Sequence, residues 1–206
     1  MAITRDQIVA AIHKGFRAAN RNYGRWSNGR NVDDSAIEGL VASCIAEAVH
    51  NRQEPRESLL MEMSFTDIRS ASGQNPPRQR GGRRADIVIC NANRQPTSVI
   101  EVKRKWNTGG CIEDIDRITQ LVNACSYRRG GSLRRGFLAF LIVKERINSK
   151  PAKERVREQK AKIEHAIGCQ PARGLKRSYS LSRFAHLNEN KVAASLVVEV
   201  AIPNRR

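Results

Sequence analysis

The chain has 206 residues, 37 of them Lys or Arg against 20 Asp or Glu, for a formal charge of +17. This surplus points to a polyanionic partner, nucleic acid by default, or else to a basic protein resting in acidic surroundings. The length suffices for one domain, 1–206, with a substantial core, and an aromatic content of 5% argues against an extended stacking platform for single strands.

Several chemistries are excluded by inspection. Cys44, Cys90, Cys111, Cys125 and Cys169 form no C-x-x-C pair and read as buried free thiols of a reducing compartment. His13, His50, His165 and His186 have no metal-ligand spacing and read as surface or capping residues. There is no P-loop, G-x-G-x-x-G or G-x-S-x-G. No apolar block is long enough for a signal or a membrane span, so a soluble, cytoplasmic protein is expected.

In chain order, Ile8, Val9, Ile12 and Phe16 recur at helical spacing and predict a helix over 3–20. Arg17, Arg21, Arg25 and Arg30, interleaved with Tyr23 and Trp26, follow as a basic loop that either meets phosphates or forms a solvated turn. A second helix is predicted over 33–50, with a broad apolar stripe from Ile37 to Val49. Glu38 lies at the edge of that stripe, and Ser35-x-x-Glu38 is also a capping box, which would confine Glu38 to its own helix terminus. Residues 58–65 read as a first strand. Residues 66–84 carry Gly, Ser, adjacent prolines and five arginines, the chemistry of a loop. That loop either closes over a nucleic acid or is a surface tip.

The central stretch is RADIVICNANRQPTSVIEVKRK, Arg84 to Lys105. It reads as two strands, 86–90 and 98–103, around a polar turn. Side chains two apart in a strand share a face, so Glu101 and Lys103 point together and Val102 points into the core. Pairing of the strands brings Asp86 toward Glu101. Two carboxylates and the Val102 carbonyl suit a hard cation such as Mg²⁺, which takes oxygen ligands and retains waters. Lys103 beside them could orient or deprotonate a water, or stabilise charge developing on a phosphate. A structural alternative is a salt bridge of Asp86, Glu101 and Lys103 on the strand surface.

Beyond Lys103, Arg104 and Lys105 add charge, and Gly109-Gly110 is expected to break the chain before a helix over 112–127. Glu113, Asp114 and Asp116 then occupy its first turn, Ile115, Ile118, Val122 and Cys125 its buried face, and Arg117 a structural position off that face. After a basic turn at 128–135, Phe137–Val143 reads as a strand buried on both sides. A charged helix, either lying along DNA or, as its sparse apolar anchors favour, simply solvated, is expected over 150–167, loop over 168–190, and a last strand over 195–202 at a sheet edge or a dimer contact. A second E-x-K, Glu158-Gln159-Lys160, falls in the helical run, where residues two apart diverge.

Asp86 followed by Glu101-Val102-Lys103 on the next strand resembles the PD-(D/E)XK nuclease superfamily, with Ala85 standing where the name-giving proline would be. The resemblance implies an α/β fold with an αβββαβ core, here about 34–143, and a mixed sheet flanked by helices. An extra helix would precede it, and a helix and strand would follow. It further implies a DNA endonuclease dependent on Mg²⁺ (Mn²⁺ substituting), with Asp86 and Glu101 on the metal, Lys103 assisting the attacking water and Glu38 contributing from the helix. Arg78, Arg80, Arg83, Arg84, Arg104 and Lys105 would meet DNA phosphates. A homodimer or a partner protein of a larger system fits such an enzyme, in a restriction, junction-resolving or defence role. The alternative is a nuclease-like module that binds nucleic acid without cutting it or cuts only with a partner.

Overall fold

A computed structural model describes residues 2–32, 38–75 and 83–203. Helix α1 (Arg5–Trp26) starts at a reciprocal cap, in which the Thr4 hydroxyl accepts from the Gln7 N–H and the Gln7 side chain accepts from the Thr4 N–H. It outruns the predicted 3–20. Arg21, Tyr23 and Arg25 are therefore helical rather than loop, and the helix ends only where the Ser27 N–H and hydroxyl both bond the Tyr23 carbonyl. Helix α2 spans Glu38–His50; the Ser35 half of the expected capping box lies outside the described residues. The two helices touch at Gly15, where a Cβ would lie 2.5 Å from Ile45 Cα.

Strand β1 (Ser58–Ser64) is followed without a break by a short helix, α3 (Phe65–Ala71), where a loop was expected. The Ser64 hydroxyl accepts from the Asp67 N–H and caps it. Next come β2 (Arg84–Cys90), β3 (Pro96–Lys105) and α4 (Thr108–Ala124). Helix α4 starts four residues before the predicted position and takes Gly109 and Gly110 into its first turn. Glu113 and Asp114 consequently fall in the second turn, not the first. Strand β4 (Arg135–Glu145) is buried without interruption from Gly136 to Ile142, as its apolar run predicts. Helix α5 spans Ala152–Gly168.

The segment expected to be loop contains β5 (Lys176–Leu181) and β6 (Ala185–His186), which both pair with β7 (Lys191–Ala201). Strand β7 is not at an edge. It pairs with β4 over its whole length on one side and with β5 and β6 on the other. The sheet order is β1-β2-β3-β4-β7-β5, mostly antiparallel, with β3 and β4 parallel.

Helices α1 and α2 cover one face through Ile87, Ile89, Ile100, Val102 and Ala139. Helices α4 and α5 cover the other through Val88, Val99, Leu138, Phe140 and Leu196. The predicted alternation in β3 therefore holds: Val102 packs under α1 and α2, and Glu101 and Lys103 face the α4 layer. Among the described residues no helix is long and apolar enough to cross a membrane.

Candidate active site

Strands β2 and β3 pair antiparallel as far as Ile87 and Ile100. At the next position the ladder opens, and the Asp86 side chain replaces a backbone acceptor: its Oδ2 takes the Val102 N–H at 2.6 Å. The N–H and C=O of one strand residue point toward the same neighbour, so the Val102 carbonyl is directed at this gap. Glu101, 8% exposed, follows the Val99 side of the strand. Its Oε1 accepts from Lys103 Nζ at 3.1 Å and faces Arg117 Nη2 at 3.7 Å.

Electrostatics distinguish the members of this group. Burial, followed by the negative charge of Glu101, raises the Asp86 carboxyl from 3.8 to about 6, and Glu62 adds to the effect. Burial works against the charge on Lys103, but the Glu101 charge and hydrogen bond, helped by Glu38 and Asp86, outweigh it and raise its pKa. The balance favours the ammonium form of Lys103.

Glu38, at the head of α2, accepts from the Arg104 N–H through Oε1 at 3.3 Å. Its carboxylate thus ties the helix to the end of β3. Arg83 precedes β2 and Arg84 opens it, while Arg104 and Lys105 close β3, so antiparallel pairing puts all four at the end of the hairpin that carries Asp86 and Glu101. Arg78 and Arg80 lie outside the described residues.

Three participants escaped the sequence reading. Asp114 of α4 is 4% exposed, ion-pairs with Arg117, and lies 3.6 Å from Lys103 Nζ. Arg117 is correspondingly part of the site, bridging Asp114 and Glu101, and its Nε is buried without a partner. The signal was there, since Cys111, Asp114, Ile115 and Ile118 make one helical stripe with an acid in it. The third is Glu62, which lies on β1 between residues paired to either side of Asp86 and has a left-handed φ of 55°. One other reading is corrected. His13 is buried between the hydroxyls of Ser195 (2.7 Å) and Ser180 (3.1 Å), neither surface nor cap, and burial lowers its pKa to about 4.

Among the described residues no three His, Cys, Asp or Glu side chains are grouped closely enough to hold a metal ion by themselves. A cation at the hairpin opening would rest on Asp86, Glu101 and the Val102 carbonyl and take its other ligands from water and substrate. The donor set is all hard oxygen, the kind Mg²⁺ accepts while keeping waters. The known contacts of each carboxylate fall on one oxygen, Oδ2 of Asp86 and Oε1 of Glu101. Burial first, and the Glu101 charge second, disfavour the Asp86 carboxylate, and a cation at the opening would offset both. The residues fit the ion. No family model matches the chain, and no curated protein or solved structure matches it.

Proposed function

We propose that the protein is a Mg²⁺-dependent nuclease that hydrolyses phosphodiester bonds in DNA. The observation carrying this reading is the meeting of Asp86, Glu101 and Lys103 where the β2–β3 ladder opens. The order α2-β1-β2-β3-α4-β4, with α3 as an insertion, supports it by following the αβββαβ plan of the PD-(D/E)XK superfamily. So does the net charge of +17.

Asp86, Glu101 and the Val102 carbonyl would hold the ion. Mg²⁺, or Mn²⁺ in its place, supplies a Lewis acid that polarises the phosphate and acidifies water. The chain's own residues do the rest. Lys103, kept protonated by Glu101 and anchored by Asp114, presents an ammonium to the charge that builds on the phosphate oxygens. Arg117 fixes the Glu101 carboxylate from the opposite side. Glu38 holds the Arg104 backbone and with it the end of β3, while Arg83, Arg84, Arg104 and Lys105 bind the flanking phosphates.

One observation favours the rival reading, a module that binds nucleic acid without cutting it: Glu101 is already engaged by two cations. Nicking of supercoiled plasmid decides between them. Conversion to the open circle in Mg²⁺ or Mn²⁺ is expected, abolished by EDTA and reduced at least about 100-fold by Asp86→Ala or Lys103→Ala. Nicking that survives Asp86→Ala would sink the assignment, and tight gel-shift binding without any nicking would establish the rival.

A further inference from the structure

Beyond Lys103, β3 ends at Lys105 and the chain turns at Trp106 into a groove of about 480 Å³. The C-terminal end of β4, residues 141–145, forms its floor, and the first turns of α5 form a wall. Because β3 and β4 run parallel, their C-terminal ends lie at the same end of the sheet. The groove therefore lies toward the same end of the sheet as the Asp86–Glu101 opening, with Lys105 at the end of β3 among its lining.

Its lining combines cations and apolar surface. Lys105, Lys144 and Arg155 stand against one lining acid, Glu145. Lys144 is held below the ordinary amine range by burial and by the neighbouring charges of Arg155 and Lys162. Arg155 is fixed in place by donating to the Glu145 carbonyl at 2.6 Å. Trp106 is also fixed: its Nε1 donates to the Thr108 hydroxyl at 3.1 Å, and its ring packs on Phe140 at a centroid distance of 5.2 Å. Ile147, 51% exposed, continues the apolar strip at the rim.

Duplex DNA presents phosphates on its outside and buries its base faces. A groove reading only duplex would need the cations but not the indole and the apolar floor. A single strand presents both, and cations that follow a backbone beside an aromatic ring are the usual means of holding one.

We propose that this groove binds an unpaired nucleic-acid strand entering or leaving the candidate active site, so that the preferred substrate has a single-stranded segment beside the cleaved bond. The orientation toward cleavage rests on the nuclease reading, but the binding does not.

The test is run in EDTA, where nothing is cut. The full chain carrying Trp26→Phe, so that Trp106 is its one indole, is titrated with oligo(dT) and with a blunt duplex of equal length. The proposal expects Trp106 fluorescence to be quenched by oligo(dT). It also expects Lys144→Glu with Arg155→Gln to weaken oligo(dT) binding about tenfold or more while changing duplex binding less than about twofold. These two positions are half-buried on the surface, and an unchanged melting temperature verifies the fold where Trp106→Leu could disturb it through Phe140. Absence of quenching, or an equal loss for strand and duplex, would overturn the proposal. Plasmid nicking by the same double variant separates the two readings: if it persists while strand binding is unaffected, the groove is wrong and the nuclease reading stands.

Discussion

At Asp86 a single carboxyl reports on the state of the whole site. Its pKa is raised in the fold, to about 6 from 3.8, so the folded chain holds that proton more tightly than the unfolded chain does. The stability this brings is present below about 3.8 and is lost as pH rises through about 6. Asp86→Asn should therefore raise the melting temperature relative to the parent at pH 8 and make little difference at pH 4, as calorimetry would show. Proton and cation also compete, so the apparent Mg²⁺ affinity should fall about tenfold per pH unit below about 6; an affinity flat from pH 5 to 8 would remove Asp86 from the ligand set. His13 works in the opposite direction. Its lowered pKa gives stability that is present above 6.5 and lost as pH falls through about 4. In Asp86→Asn the acid destabilisation due to His13 should stand out between those values. Asp114→Asn leaves Arg117 with Glu101 alone, and a stability loss of about 2 kcal/mol is expected. If Asp114 also positions Lys103, kcat falls about tenfold with KM for DNA unchanged; a purely structural role would move only the melting temperature.

The elements themselves were legible to different degrees, for physical reasons. Alternation with period two in 98–103 is a local property, and it put Glu101 with Lys103 and Val102 on the opposite face before any fold was known. The Asp114–Arg117 pair was obscured because Gly109-Gly110 reads as a break, although glycine at a helix start disturbs few intrahelical bonds, the first N–H groups having no partner there. Strands β5 and β6 have no dense apolar run, and what makes them strands is β7, a partner distant in sequence. His13 lies one position after Ile12 on the buried side of α1, and only the tertiary placement of Ser180 and Ser195 explains a histidine there. Close packing of elements also makes a prediction. The α1–α2 crossing has no room for a methyl at Gly15, so Gly15→Ala should cost about 1–3 kcal/mol in urea unfolding, with plasmid binding retained in the folded fraction. A neutral result would mean that the helices can separate freely.

Across the whole molecule, charge sets affinity and topology sets assembly. If the charge of +17 meets DNA through six or more phosphates, binding in EDTA should weaken by about 10³ or more between 50 and 200 mM salt, measured by anisotropy. A shallow slope would confine the contact to a few residues around the hairpin end. The sheet's order has a separate consequence during synthesis. Among the described strands, β4 and β5 are not neighbours and are joined through β7, which is made after both. A nascent chain complete to residue 190 therefore presents the open edge of β4, the most apolar strand it has, together with a β5 that has nothing to pair with. At about 5–20 residues per second, that edge stays open on the ribosome for roughly several seconds, long enough to attract another chain's strand. Yield of native protein should accordingly depend on the speed of translation between β4 and β7 and on holdase chaperones. Codon choice in that interval, which leaves every contact in the finished molecule unchanged, becomes a determinant of how much of it is obtained.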